Sequence, residues 1–229
     1  MASSRARGIR ATAGAAPRLP GERYVGSVSD VHCPARFIVA RHGEAEYETP
    51  DMNATGGSLT RLGREQAREL GQRLRSERVA AVVSSELSRA VQTAEIAAGV
   101  LGLPVRVRER LQEFPAGDLA GRRYEQGLFD PMVRSWLAGD LSAGVPGGET
   151  GRETADRVLG VLQDLADEFR GENVLVVTHG GVILALWGTI APGSPEAPGS
   201  DLVANGSTYV FENDADGWRV GAQLAEPVA

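Results

Sequence analysis

The sequence predicts an α/β fold built on a largely parallel sheet with crossover helices. From Arg36 onward, short apolar runs rich in β-branched residues alternate with longer segments of helical period. Two of these runs, 37–40 and 174–177, are entirely apolar, as is typical of strands buried on both faces. A chain of 229 residues is long enough to bury a substantial core, so we expect one folded domain over 34–229.

The first half of this domain divides into elements by local pattern. In order, we predict a strand at 37–40, a helix at 59–74, a strand at 80–83, a helix from about 88 to 100 and a strand at 105–107. The second helix should end at the segment Leu101-Gly102-Leu103-Pro104, because glycine suits a helix C-terminus and proline cannot continue a helix.

The second half begins with a less regular segment. Residues 108–149 are rich in glycine, proline and isolated aromatic residues, so we predict an insertion folded over the sheet edge. The capping box Thr150-Gly151-Arg152-Glu153 then begins a helix, whose apolar residues recur at helical spacing as far as Phe169. A strand at 174–177, a helix at 182–187 and a terminal pair at 207–211 and 218–224 complete the prediction.

The composition excludes several kinds of protein. All 24 basic residues are arginine, so the chain has no lysine for a Walker loop or a Schiff base. One cysteine, Cys33, and three histidines are too few for a zinc site of the Cys/His type, and no run of closely spaced aspartates suggests bound Mg²⁺. The net charge is −6 with the arginines dispersed among acidic residues, which argues against nucleic acid as a partner. We therefore expect no cofactor, metal or membrane association, and a reducing, cytoplasmic setting.

The first 33 residues differ from the rest. They hold five arginines amid Ala, Gly and Ser but lack the apolar stretch of a secretory signal. We expect a flexible N-terminal extension. An upstream start codon or a non-structural extension explains this composition better than organelle targeting, and His32, which lies within it, is given no role.

Two of the predicted strands run into a His-Gly pair, at His42-Gly43 and at His179-Gly180. Strand ends meet at one edge of a parallel sheet, so both imidazoles would face one site if the strands are neighbours. Gly180 and Gly181 also lead directly into a helix, whose first N–H groups suit an anion. Either histidine taken alone is explained as well by an ordinary turn.

Two arginines also lie at strand exits. Arg41 precedes His42, and Arg89 lies at the start of the helix after the second strand. Guanidinium groups match phosphate oxygens and stay charged at any working pH, so a converging pair suits a phosphoryl dianion. Without this context, Arg89 would pass for a solvated helix residue.

Several separated motifs, in order, resemble the histidine phosphatase superfamily, also called phosphoglycerate mutase-like. The resemblance runs from Arg36 to about Leu224 and rests on Arg41-His42-Gly43-Glu44, Leu59-Thr60-x-x-Gly63-x-x-Gln66-Ala67, Ser85-x-Leu87-x-Arg89-Ala90-x-Gln92-Thr93-Ala94, Leu111-x-Glu113 with Gly117 and Gly121, Pro146-Gly147-Gly148-Glu149, and Val177-Thr178-His179-Gly180.

The resemblance implies a three-layer αβα sandwich and a set of roles. His42 would be the nucleophile, Arg41, Arg89 and His179 the phosphate pocket, and Glu113 the general acid. A neutral imidazole nitrogen would attack phosphorus without a metal, and water would then hydrolyse the phosphohistidine. An exposed loop carboxylate without a catalytic role remains the alternative for Glu113, and Asp118 is its nearest rival as the acid.

One departure from the family pattern concerns substrate. After the first motif the commoner Thr and Trp-Asn are replaced by Ala45, Tyr47 and Glu48, so the usual phosphate-contacting Asn is missing. Asn53 or Ser58 is a possible substitute, and neither is preferred. We expect hydrolysis of a small phosphorylated metabolite. The alternatives are a mutase or a phosphoprotein phosphatase with the same chemistry, a non-catalytic regulatory homologue, and a metal-dependent phosphatase.

Overall fold

A computed structural model describes residues 33–52, 55–125, 127–198 and 203–224. The N-terminal extension expected over 1–33 therefore lies outside the described residues, apart from Cys33, which is exposed. Across the described ranges, no helix combines the length and the apolar character needed to cross a bilayer.

Eight strands and five α-helices form the described chain. In order they are β1 (Ala35–Arg41), β2 (Ala45–Glu46), β3 (Ser58–Leu59), α1 (Arg61–Arg73), β4 (Val79–Ser84), α2 (Ser88–Leu101), β5 (Val105–Val107), α3 (Asp130–Leu137), α4 (Gly151–Glu168), β6 (Asn173–Thr178), α5 (Gly180–Ile190), β7 (Thr208–Asp214) and β8 (Gly217–Val220).

The central sheet has the strand order β5-β4-β6-β1-β7-β8. Strands β5, β4, β6 and β1 are parallel, and β7 and β8 extend the sheet in antiparallel fashion. The two strands that lead into the His-Gly pairs, β1 and β6, are therefore direct neighbours. Arg41 pairs with Thr178 in their register, so His42 and His179 leave the sheet at the same level.

The sheet is covered on both faces, which gives the expected three-layer sandwich. Phe37 and Val39 of β1 face a core shared with α3, α4 and α5. Ile38 and Ala40 of the same strand face a second core shared with α1 and α2. This alternation explains why residues 37–40 of the strand are all apolar, since both faces of the strand are buried there.

The predicted strands of the central sheet are confirmed, except that the last one, expected over 218–224, ends at Val220. Two other predicted features are wrong. The helix expected over 59–74 begins at Arg61, because Leu59 belongs to β3 and the Thr60 hydroxyl caps the helix by accepting from Gly63 N at 3.0 Å. The helix ends at Arg73, and Leu74 begins a 3₁₀ turn. The predicted helix was therefore too long by two residues at its start and by one at its end.

The segment 108–149, expected to lack regular structure, contains helix α3 and a 3₁₀ turn at Gly117–Leu119. Helix α3 has only eight residues, too few for its period to stand out. It packs against α5 rather than over a sheet edge, with the fully buried Trp136 against Gly188, where a side chain would collide with the Trp136 carbonyl.

Helix ends were predicted more accurately than the insertion. Thr150 and Glu153 form a reciprocal capping box at the start of α4. Gly102 ends α2 with φ of 73°, a left-handed conformation that glycine adopts without strain. Both signals depend on contacts within one turn of helix, so they predict the helix end whatever the tertiary packing around it.

Candidate active site

His42 lies at the exit of β1 and is almost fully buried, with 4% of its surface exposed. Its backbone N–H donates to the Thr178 carbonyl at 3.0 Å, which extends the pairing of β1 with β6 by one residue. Its Nδ1 lies 2.7 Å from the Gly43 carbonyl oxygen. A carbonyl can only accept, so Nδ1 carries the proton and Nε2 keeps its lone pair.

The His42 ring is uncharged at any ordinary pH. Its pKa is lowered from 6.5 to about 3, mainly by burial and also by the positive charges of Arg89 and Arg41, against the opposing effect of the bond to the Gly43 carbonyl. A neutral imidazole with a free Nε2 lone pair is the form that attacks an electrophile.

Arg89, at the start of α2, contacts this lone pair directly. Its Nε donates to Nε2 of His42 at 3.2 Å, and one terminal nitrogen donates to the Gly56 carbonyl at 2.7 Å. The Tyr47 ring lies 5.5 Å from the guanidinium carbon. The loop after β2 thus closes over Arg89, and 3% of Arg89 is exposed.

His179 follows β6 and is completely buried beside His42, with ring centroids 5.2 Å apart. Its Nε2 lies 2.7 Å from the Ser85 hydroxyl. Its Nδ1 is buried and has no hydrogen-bond partner within the described part of the chain. Burial lowers the pKa of His179 well below its usual value, and the neighbouring His42 and Arg89 lower it further, so this ring is neutral too.

Arg41 lies beside the second His-Gly turn. Its terminal nitrogen donates to the Val203 carbonyl at 2.5 Å, while its buried Nε has no partner among the described residues. A side chain built on Gly180 would lie 3.6 Å from that Nε, so the guanidinium lies beside the first residue of α5. The structure thus brings the expected nucleophile, His42, together with the three residues expected to form the phosphate pocket and with Gly180.

Small polar side chains that had no assigned role hold the first loop in place. Thr93 accepts from Gly43 N at 3.0 Å and donates to the Arg89 carbonyl at 2.7 Å, so it joins the nucleophile turn to the arginine helix. Gln66 accepts from Glu44 N at 2.7 Å, and Gly63 approaches the Glu44 carbonyl too closely for any side chain. These contacts explain why the motifs contain Gly63, Gln66 and Thr93.

Glu113 lies at the N-terminus of α5. One carboxylate oxygen accepts from Gly181 N at 3.0 Å, and the other lies 3.2 Å from Phe114 N. Because Gly181 follows His179 by two residues, the carboxylate is held near the buried histidines rather than loose in an exposed loop. It also occupies an N–H group at this helix terminus, where the sequence had suggested a site for the anion.

The carboxylate of Asp118, the rival acid, has different neighbours from that of Glu113. Its carboxylate packs against Gly147, and its backbone N–H donates to the Pro146 carbonyl at 2.7 Å. The same turn ends at Glu149, whose carboxylate pairs with the buried Arg157 at 2.9 Å. Asp118 and this turn support each other, and no described contact joins the Asp118 carboxylate to His42 or His179.

Sequence reasoning gave no role to Asn205, which the fold brings to the nucleophile. Its side-chain amide donates to the His42 carbonyl at 3.0 Å from the segment that precedes β7. No motif in the chain marks this residue. Of the two suggested substitutes for the missing phosphate-contacting Asn, Ser58 is exposed and pairs with Glu46 in a two-stranded ribbon, and Asn53 lies outside the described residues.

A cavity of about 570 Å³ opens between the loop after β2 and the segment that follows Glu113. Backbone bonds between Met52 and both Gly121 and Arg122 join its two sides. Among the described lining residues only Asp51 is charged; they are Thr49, Asp51, Met52, Pro115, Ala116, Gly117, Ala120 and Gly121. Pro115, which lines this cavity, follows Glu113 by two residues along the chain.

Comparison with known proteins places this geometry in a family. Residues 37–223 match the model of the histidine phosphatase superfamily, branch 1. The chain is 32% identical over 194 residues to phosphoglycerate mutase-like protein 4 of Arabidopsis thaliana, and the aligned region covers 81% of this chain and 83% of the relative.

Solved structures agree. The mycobacterial glucosyl-3-phosphoglycerate phosphatase is 25% identical with a TM-score of 0.64, covering 84% of this chain and 100% of that one. The Bacillus stearothermophilus protein YhfR is 30% identical with a TM-score of 0.66, covering 84% and 98% of the two chains. With a family match over most of its length and two buried histidines between two arginines, this chain belongs to the histidine phosphatase superfamily, whose members near it are phosphatases and mutase-like enzymes.

Proposed function

We propose that this protein is a metal-independent phosphomonoester hydrolase that acts through a phosphohistidine on His42, on a small phosphorylated metabolite. The observation that carries the proposal is the state of His42. Its proton is fixed on Nδ1 by the Gly43 carbonyl, and its Nε2 lone pair faces the Arg89 guanidinium. If the Arg89 guanidinium donated to the oxygens of a bound phosphoryl group instead, the phosphorus atom would lie in front of that lone pair.

The reaction then needs two displacements at phosphorus. In the first, Nε2 of His42 forms the P–N bond while the ester oxygen departs with its electron pair and takes a proton from Glu113. In the second, water attacks the phosphohistidine and gives a proton to Glu113, and the P–N bond breaks to return neutral His42. Arg41, Arg89 and His179 stabilise the negative charge on the phosphoryl oxygens throughout.

The cavity lined by Pro115, two residues after Glu113, favours a small leaving group. Its volume of about 570 Å³ is typical of a site for a small molecule rather than an extended peptide groove. A mutase must hold a second anionic group on its substrate, which calls for basic residues around the pocket. Among the described lining residues, the charged one is Asp51, whose carboxylate would repel a second anionic group. These features favour hydrolysis over the mutase and phosphoprotein phosphatase alternatives.

The mutase-like relative keeps a mutase as the second candidate. A panel of phosphorylated sugars, polyols, glycerates, nucleotides and phosphopeptides separates the two when free phosphate and isomerised product are both measured. The panel should include glucosyl-3-phosphoglycerate, because one structural relative is a phosphatase named for this compound. We expect free phosphate from a small metabolite, and isomerisation without net phosphate release would show a mutase.

The covalent step has its own test. Enzyme quenched during turnover should carry a phosphoryl group that is labile in acid and stable in alkali, as a phosphoramidate is. His42→Ala should lose both this group and turnover, whereas His32→Ala, at the chain's remaining histidine, should keep both. Activity should survive excess chelator and be inhibited by vanadate, because arginine and histidine supply the positive charge. Turnover by His42→Ala, or activity that chelator abolishes and Mg²⁺ or Zn²⁺ restores, would contradict the mechanism.

A further inference from the structure

We propose that Ser85 is a positioning residue that fixes His179 with its proton on Nδ1, so that this N–H donates to a phosphoryl oxygen. The inference rests on the proposed function, because it concerns the same phosphoryl pocket. It assigns a role to a side chain that touches neither His42 nor the expected path of the phosphoryl group.

The hydroxyl of Ser85 has one proton to give, and its surroundings direct that proton to His179. Ser85 is completely buried, and its backbone N–H is committed to the Val177 carbonyl at 3.1 Å. Its Oγ receives an N–H from Leu87 at 3.4 Å and lies 2.7 Å from Nε2 of His179. Leu87 N–H can only donate, so of these two described partners Nε2 of His179 is the one that can accept the hydroxyl proton.

The consequence for His179 follows from its neutrality. A neutral imidazole has one proton, so a ring that accepts at Nε2 must carry its proton on Nδ1. That Nδ1 is buried and has no acceptor within the described part of the chain. A buried donor without a partner costs free energy until something accepts from it. With His42 5.2 Å away between ring centroids, a phosphoryl oxygen held at His42 is the acceptor within reach.

The opposite tautomer would act against binding. If His179 carried its proton on Nε2, Ser85 would accept and the Nδ1 lone pair would face the phosphoryl oxygens, two acceptors with no proton between them. The Ser85 bond therefore decides whether His179 attracts or repels the phosphoryl group. Buried histidines commonly depend on the partner of one nitrogen for the state of the other.

Nitrogen NMR of histidine-labelled protein tests the tautomer without any assay of activity. The chain has only three histidines, so single substitutions at His32 and His42 assign the spectrum. We expect Nε2 of His179 to have the chemical shift of an unprotonated ring nitrogen and Nδ1 that of a protonated one. An Nε2-protonated His179 in the wild-type protein would overturn the proposal, and this measurement needs no Ser85 variant.

Variants then test the consequence, with vanadate affinity as the probe. Ser85→Ala should let His179 populate the other tautomer and weaken vanadate binding about ten-fold or more, as expected for a lost charge-assisted hydrogen bond. Ser85→Thr, which keeps the hydroxyl, should restore the tautomer and most of the affinity. The matched control is Ser84→Ala, which removes a buried hydroxyl one residue earlier that bonds to the Ser85 carbonyl.

The outcomes separate this inference from the proposed function. If Ser85→Ala leaves the tautomer and vanadate affinity unchanged, Ser85 has no positioning role, even if the enzyme hydrolyses phosphate esters. If Ser84→Ala weakens vanadate binding as much as Ser85→Ala, the effect is one of strand packing and the proposal fails. If no substrate is hydrolysed, the tautomer and the vanadate series still test Ser85, because neither depends on turnover.

Discussion

Replacing Glu113 with glutamine separates a catalytic acid from a structural cap. The carboxylate accepts from Gly181 N at 3.0 Å and lies 3.2 Å from Phe114 N. An amide has one acceptor oxygen, so Glu113→Gln loses one of these bonds and the negative charge at the start of α5. The lost bond is worth about 1 kcal/mol and the lost charge about 0.3–1 kcal/mol, so the free energy of unfolding should fall by about 1–2 kcal/mol.

The loss of a general acid has a larger and more selective effect. The alkoxide of a sugar or polyol phosphate is a poor leaving group, so removal of the acid should slow hydrolysis of such an ester about 10²–10⁴-fold. Nitrophenolate leaves without a proton, so hydrolysis of p-nitrophenyl phosphate should be largely spared. A loosened helix α5, which begins beside His179, would instead slow both esters together, because it would disturb the phosphoryl pocket itself.

The assay compares kcat/KM for an alkyl and a nitrophenyl ester in three variants, with stability measured by denaturant unfolding. Glu153→Gln makes the same change in the capping box of α4 and should leave both rates unchanged. Asp118→Asn tests the rival acid. Equal slowing of both esters by Glu113→Gln would refute the acid role, and slowing of the alkyl ester by Asp118→Asn alone would transfer that role to Asp118.

Three further predictions follow from the site and its supports. Arg89→Lys keeps the charge but loses the planar guanidinium, so kcat/KM should fall about 10–100-fold. The control, Arg68→Lys at an exposed position, should not change kcat/KM. An Arg89→Lys variant as active as the wild-type protein would exclude a direct contact between Arg89 and phosphate. Because the pKa of His42 falls from 6.5 to about 3 on folding, the unfolded state binds more protons between these values. Lowering the pH from about 6.5 to about 3 should therefore reduce the free energy of unfolding by up to about 1.4 kcal/mol per pH unit, and His42→Asn should remove this part of the slope, whereas an unchanged slope would contradict a neutral buried His42. Glu149→Gln removes the carboxylate that pairs with the largely buried Arg157, which keeps its bond to the Arg110 carbonyl. Denaturant unfolding should therefore show a loss of about 2–4 kcal/mol, and a loss below about 0.5 kcal/mol would contradict a supporting role for the pair.

Local sequence was sufficient wherever the cause lies within a few residues. The apolar runs at 37–40 and 174–177 predicted buried strands because both faces of each strand are covered. The capping box at Thr150 and the left-handed Gly102 predicted helix ends because both act within one turn of helix. Helix α3 escaped prediction because its stability comes from packing Trp136 against α5, which an eight-residue pattern does not reveal.

For the candidate site, the sequence by itself determined which residues have the right chemistry: two histidines that each precede glycine at a strand end, two arginines and a carboxylate. Only the tertiary structure decided how they are protonated and held. The register of β1 with β6 places His42 beside His179, and burial of the two rings keeps both neutral. The bonds that orient them come from Gly43, Ser85 and Asn205, two of which lie far away along the chain from the ring or turn they contact. Desolvation and hydrogen-bond partners depend on what the folded chain packs around a group, so no short segment of sequence specifies them.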